Sequence, residues 1–131
     1  MTRVLFVCIG NSCRSPMAEA FANHLGDAVL EASSAGIYPA PIIQPETIEV
    51  MAQRGIRLEP RQPRHLLLED PTKIDLVVNM SGVPVAPLLQ GFAGREIAWH
   101  VRDPMGQTPE IYRQVRDEIE RKVVALLAEL M

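Results

Sequence analysis

The chain has only two cysteines in 131 residues, Cys8 and Cys13. That is too few for the disulfide framework of a small secreted scaffold, so these thiols are better suited to chemistry than to stapling. Aromatic residues make up 5% of the chain, which leaves little material for a deep pocket walled by rings. Neither sign of charge dominates: 13 Lys and Arg stand against 16 Asp and Glu. Such a mildly acidic chain argues against nucleic acid or an anionic membrane as a main partner. No apolar run approaches the ~18 residues of a spanning helix, and the short run before Gly10-Asn11 cannot serve as a secretion signal. A cytoplasmic protein is expected. There is no Gly-x-Gly-x-x-Gly and no Walker loop, and His24, His65 and His100 share no metal-ligand spacing. Neither cofactor nor metal is therefore expected.

What is present is a hydrophobic fraction of 47% arranged in two alternating patterns, enough for one domain over residues 1–131. Arg3 to Val7 is a continuous run of β-branched and large apolar residues, fit for a strand buried on both faces. From Ser15 onward Met17, Ala20, Phe21 and Leu25 recur at helical spacing, with Gly26 as a stop. A second strand is expected within Val29 to Ser34, ending in a turn at Ser33-Ser34-Ala35-Gly36. Pro39, Pro41 and Pro45 mark a loop, followed by a short helix over Glu46 to Arg54. A helical turn is expected in Arg64 to Asp70. Ile74 to Met80 repeats the buried-strand pattern, Gly82 to Leu89 is ambiguous, and Ile97 to Val101 reads as the fourth strand. Ile111, Val115, Ile119, Val123, Leu126 and Leu130 then form one apolar stripe of a long helix.

Strand-helix alternation implies an α/β fold with a parallel sheet and helices on both faces. Ligands in such folds sit beyond the carboxyl ends of the strands, where strand order reverses. Three segments qualify: those following Cys8, Asn79 and Val101.

The first is the most informative. A strand runs into Cys8-Ile9-Gly10-Asn11-Ser12-Cys13-Arg14-Ser15 and then a helix. Attack on a phosphate dianion needs an ionised nucleophile, and thiols beside Arg or at helix N-termini reach pKa values of ~3.5–7.5. Cys8 would have both influences. Five intervening residues suffice to curl around a tetrahedral anion, and Gly10 and Asn11 tolerate the positive φ that turns N–H groups inward. Arg14 presents a planar fork to two oxygens, which Lys could not reproduce. Ser15 is placed to donate to the Cys8 sulfur. Singly, each residue has a plainer explanation: Cys8 as a buried thiol, Ser15-Pro16 as a helix start with Ser as N-cap, Arg14 as a surface charge. Together, between a strand and a helix, they point to nucleophilic phosphate chemistry. Such chemistry also needs a group that protonates the departing ester oxygen and later takes a proton from water. Asp103 fits, because Pro104 forces it out of helical geometry and holds it on a loop after the fourth strand.

The stretch from Val7 to Ala20 closely resembles the low-molecular-weight protein tyrosine phosphatase family, which shares its fold and loop with the thioredoxin-coupled arsenate reductases. The resemblance extends through Ser34-Ala35-Gly36, Gly55-Ile56, the strand around Asp75 to Val78, and Asp103-Pro104. It implies a three-layer, flavodoxin-like domain with a four-stranded parallel sheet. It further implies that Cys8 forms a phosphocysteine, Arg14 binds phosphate, Asn11 and Ser15 support the loop, and Asp103 is the general acid. Residues Ile9, Gly10, Asn11, Ser12, Cys13 and Ser15 would line the bound phosphate. The implied partner is a phosphorylated protein or a small phosphate ester.

Departures from the family pattern keep other activities open. Reductases with an internal thiol relay carry two more cysteines after the third strand, but this stretch reads Asn79-Met80-Ser81-Gly82-Val83-Pro84-Val85-Ala86-Pro87. Arsenate reduction would thus require an external thiol. Met105-Gly106 stands where tyrosine phosphatases often place aromatic residues. Ser12 occupies a position where small polar residues occur in arsenate reductases and in protein-arginine phosphatases. A histidine of many relatives is replaced near Arg61, while Tyr38 is the best remaining aromatic wall. Cys13 reads either as a thiol that bonds Cys8 reversibly or as a packed thiol beneath the loop. Arg54, Arg57, Arg61 and Arg64 read as a solvated edge, and Asn79-Met80-Ser81 as a glycosylation acceptor that a cytoplasmic chain would not present.

Overall fold

The computed structural model describes residues 1–131. Its elements, in chain order, are β1 (Thr2–Cys8), α1 (Arg14–Gly26), β2 (Leu30–Gly36), α2 (Pro45–Ala52), β3 (Leu76–Asn79), β4 (Arg95–Ala98) and α3 (Pro109–Leu130). All strand pairs are parallel, in the order β2-β1-β3-β4. The expected α/β architecture with a four-stranded parallel sheet is therefore what the chain adopts. No helix is long and apolar enough to cross a membrane.

The central position of β1 explains its unbroken apolar run, because both of its faces must be covered. Alternate residues serve the two faces. Val4 and Phe6, with Val78, meet Met17 and Phe21 of α1, Met51 of α2, and Tyr112 and Ile119 of α3. Leu5, Val7 and Val77 face the other way, onto Leu66, Val85 and Leu89. The two covering layers are unequal. All three α-helices pack on the first face, whereas the second is closed by 3-10 turns at Leu66–Leu68 and Ala86–Leu88 and the segments around them. β1 leads out to β2 on one side, and the chain then returns to β3 on the other. Strand order reverses between β1 and β3, so their carboxyl ends open a crevice there.

Several boundaries differ from the sequence-based expectation. Ser33 to Gly36 continues β2 instead of turning, since Leu5↔Ser33 through Cys8↔Gly36 extend the ladder with β1. The small side chains there leave room for the following loop to lie close. The fourth strand is Arg95–Ala98, starting two residues and ending three residues before the expected Ile97 to Val101. Its pairing ends at Asn79↔Ala98 because β3 ends there. The apolar character of Trp99 and Val101 serves packing beyond the sheet, with the Trp99 ring 5.8 Å from that of Phe6. α1 starts at Arg14, so Ser15 lies inside the helix and is not its N-cap. α2 begins at Pro45, a residue suited to a first helical turn, and ends at Ala52.

Candidate active site

The loop from Cys8 to Ser15 lies at the reversal point. Its carbonyls are turned outward and tied down by the segment that follows β2. Ile37 N–H donates to Cys8 O (3.3 Å), Tyr38 N–H to Ile9 O (2.8 Å), Ala40 N–H to Gly10 O (2.9 Å) and Gln44 N–H to Ser12 O (3.2 Å). The Ser12 hydroxyl adds a bond to Ile42 O at 2.7 Å. None of the backbone N–H groups from Ile9 to Cys13 has a protein acceptor. A curled run of free N–H groups, with its carbonyls anchored elsewhere, is an anion nest. Asn11, buried with φ at +50°, makes the turn that this curl requires. Gly36 permits the close approach beneath it, since a Cβ there would stand 2.7 Å from Ile9 O and 2.8 Å from Asn11 N.

The side chains behind the loop form one directed hydrogen-bond chain. Arg64 N–H donates to Asn11 Oδ1 (2.9 Å), which fixes the orientation of the Asn11 amide. Asn11 Nδ2 then donates to both Ser15 Oγ (2.8 Å) and Ser34 Oγ (2.9 Å). Ser15 Oγ, which accepts that bond, lies in hydrogen-bond contact with Cys8 Sγ at 3.0 Å, with its own proton free to point at the sulfur. At the other end Ser34 donates to Glu19 Oε1 at 2.6 Å. Glu19 is ion-paired with Arg61, which also donates to Ser34 Oγ at 2.9 Å. From Asn11 Nδ2 the chain branches: one arm ends on the Glu19 carboxylate, the other at the Cys8 sulfur.

Arg14 is buried, and its Nη1 donates to Met80 O (2.7 Å) and Val101 O (2.9 Å), just past the ends of β3 and β4. Both hydrogens of Nη1 are thus used, leaving Nε and Nη2 as a two-pronged donor edge. Asp103 Oδ2 lies 3.7 Å from Nη2. The three strand ends singled out in the sequence do converge here. Cys8, Ile9, Gly10, Ser12, Cys13, Arg14 and Asp103 line one cavity of about 290 Å³, with Tyr38 and Met105 at its wall. Asn11 and Ser15 lie behind it in the hydrogen-bond chain. Tyr38 is 81% exposed at the rim, so it is a free-standing wall and not part of a deep pocket.

Cys8 and Cys13 are both free thiols. Burial pushes the Cys13 thiol up, against smaller opposing effects from hydrogen bonds with Thr47 and Tyr112. The Tyr112 phenol is pushed well above the usual tyrosine range, chiefly by burial and then by its 3.7 Å contact with Cys13 Sγ. A neutral thiol packed on a neutral phenol is a structural arrangement, distinct from that of Cys8. No group of His, Cys, Asp or Glu in the fold is placed to hold a metal ion.

Glu19, Ser34 and the backbone of Arg64 escaped the sequence reading. Glu19 stands one helical turn beyond Ser15, a spacing that could have drawn attention. Arg61 comes from a proline-flanked loop with no periodic signal. The arginines read as a solvated edge are all ion-paired: Arg54 with Glu120, Arg57 with Glu59, Arg61 with Glu19 and Arg64 with Glu69.

A family model described as low molecular weight phosphotyrosine protein phosphatase matches residues 3–131. The chain belongs to that family. Its relatives within the family differ in activity. A glutaredoxin arsenate reductase of Synechocystis sp. is 33% identical, the alignment covering 99% of each chain. A protein-arginine-phosphatase of Geobacillus stearothermophilus is 30% identical over 98% of this chain and 95% of its own. Among solved structures, a low molecular weight protein tyrosine phosphatase from T. tengcongensis superposes with a TM-score of 0.89 at 30% identity, covering 99% of this chain and 100% of that one. An arsenate reductase in the phosphate-binding state gives 0.86 at 32% identity, with both chains fully covered. The protein is thus an enzyme of the low-molecular-weight phosphatase family, and the relatives it resembles are named as arsenate reductases and as protein phosphatases.

Proposed function

We propose that the protein is a phosphomonoester hydrolase of the tyrosine phosphatase type, acting through a phosphocysteine on Cys8. The observation that carries this reading is the carboxyl group of Asp103 poised over the same cavity as Cys8 and Arg14. A phosphatase needs an acid at that place. The phosphoryl group would sit in the nest of N–H groups, with the Nε and Nη2 edge of Arg14 on two of its oxygens. Cys8 Sγ attacks phosphorus, the ester P–O bond breaks, and Asp103 delivers a proton to the departing oxygen. Water then attacks phosphorus, gives a proton to Asp103, and the P–S bond breaks to release phosphate. Ser15 stabilises the thiolate as attacker and as leaving group. Tyr38, Ile9 and Met105 form an open apolar rim suited to a phosphorylated side chain on a protein surface, with phosphotyrosine as the expected form.

Hydrolysis of an aryl phosphate without added metal is the expected result, abolished in Cys8→Ser. Persistent hydrolysis by the Cys8→Ser protein would overturn the covalent route.

The arsenate reductase relatives support a second reading. Cys8 Sγ would displace one arsenate oxygen, which leaves as water, to form an S–As bond. An external small thiol would then attack Cys8 Sγ, the S–As bond breaking with its electron pair to arsenic, so that As(III) departs as arsenite and a mixed disulfide remains for a second thiol to reduce. No cysteine beyond Cys13 exists to do this internally. Turnover of arsenate that requires a small thiol, with negligible rates on phosphotyrosine and phosphoarginine, would install this reading in place of the first.

A further inference from the structure

Arg14 owes its orientation to two carbonyls, and one of them belongs to a loop with its own fastening. Met80 O precedes a tight segment, Ser81 to Ala86, built around the Asn79 side chain. Asn79 is 5% exposed at the end of β3. Its Oδ1 accepts from Ser81 N–H (2.9 Å) and from the Ser81 hydroxyl (2.6 Å). Its Nδ2 donates to Val83 O (2.6 Å) and to Glu96 Oε2 (2.9 Å). Glu96, on the neighbouring edge strand β4, also accepts from Val85 N–H (3.2 Å) and Ala86 N–H (2.7 Å). Three donors converge on this one carboxylate.

The direction of these bonds matters. An amide can be reversed by a half-turn, but reversal would set Asn79 Oδ1 against the Glu96 carboxylate. Val83 O and Ser81 N–H require the same orientation, with Nδ2 facing the carbonyl and Oδ1 facing Ser81, and the Glu96 carboxylate adds its charge to that choice. That choice closes the turn at Ser81 and keeps Met80 O aimed at Arg14 Nη1, 2.7 Å away. We propose that Glu96, acting through Asn79 and Met80, is a positioning residue for Arg14 and so sets the strength of anion binding in the Cys8 loop. It touches no substrate. Asn79 is thereby explained as a structural amide, not a glycosylation acceptor.

A separate cavity of about 470 Å³, lined by Asn79, Val83, Pro84, Glu96, Trp99 and His100 among others, borders this fastening. Substitution of Glu96 thus disturbs a solvent-reached edge of the sheet, and folded variants are expected.

The inference rests on the loop being an anion site, and its test is binding, not turnover. Titration calorimetry with inorganic phosphate compares wild type with Glu96→Gln. Glutamine keeps the shape but offers one acceptor oxygen to three donors. Phosphate is expected to bind about tenfold more weakly, the size of one lost charge-assisted hydrogen bond, with the unfolding temperature little changed. Asn79→Ala should weaken phosphate similarly, and the double variant should add little, because the two residues act in series. Folded Glu96→Gln that binds phosphate as wild type does, or full additivity of the two changes, would overturn the proposal. Should Glu96→Gln fail to fold, Asn79→Ala decides in the same assay. Failure of ester hydrolysis in a wild type that binds phosphate would instead strike the phosphatase reading and leave this one standing.

Discussion

Two segments meet over the same cavity and are held in opposite ways. From Cys8 to Ser15, the carbonyls are tied outward by residues 37–44 and the side chains are knitted to Ser34 and Glu19. Asp103, by contrast, has a side chain 45% exposed, held by one hydrogen bond from Met105 N–H to Oδ1 at 3.0 Å and a 3.7 Å ion pair with Arg14. The anion site is preorganised, as electrostatic stabilisation requires. The proposed acid sits on a lightly held limb. The difference suits the proposed mechanism, in which the first segment binds the phosphoryl group and the second delivers the proton.

The largest effect should come from the lightly held side. Asp103→Ala is expected to lower kcat by ~10²–10⁴, the usual worth of a positioned acid-base group, while inhibition by inorganic phosphate stays near wild type. Equal losses in both would erase the distinction between the two segments. Gly36→Ala attacks the rigid side, since its Cβ would collide with Ile9 O and Asn11 N of the loop. Displacement of the loop by about 1 Å can cost ~10²-fold in rate, and here phosphate inhibition should weaken together with kcat. Retention of phosphate affinity would show that the loop tolerates movement.

The smallest effect is on stability and concerns the floor of the site. Burial raises the Cys13 and Tyr112 pKa values in the fold. The native state then keeps protons that the unfolded chain releases above its ordinary thiol and phenol values of about 8.5 and 10. Stability should therefore be complete below that range and fall as pH rises through it. Urea midpoints between neutral and alkaline pH would show the decline, and Tyr112→Phe should flatten its upper part. An unchanged slope in Tyr112→Phe would remove Tyr112 as the cause.

The legible part of the molecule was whatever periodicity or spacing could encode. The β1 run, the α3 stripe and the Cys8-to-Ser15 loop each carried a pattern tied to one physical requirement. The end of β2 is not legible because Ser33-Ser34-Ala35-Gly36 has turn composition, although its small residues serve close packing beneath the loop. The true bounds of the fourth strand are hidden because Trp99 and Val101 are apolar for core packing outside the sheet. The Glu19, Arg61 and Glu96 contacts join residues distant in sequence, and charged residues on a helix face, a loop and an edge strand ordinarily read as solvated.

The central claim is that Cys8 sulfur is the atom that takes the phosphoryl group. Rapid acid quench during turnover of a labelled aryl phosphate, followed by peptide mapping, tests it directly. The account predicts label on the peptide containing Cys8, held as an S–P bond and accumulating further in Asp103→Ala if that carboxylate activates the water. Steady hydrolysis with label on no cysteine, or on Cys13 alone, would contradict it.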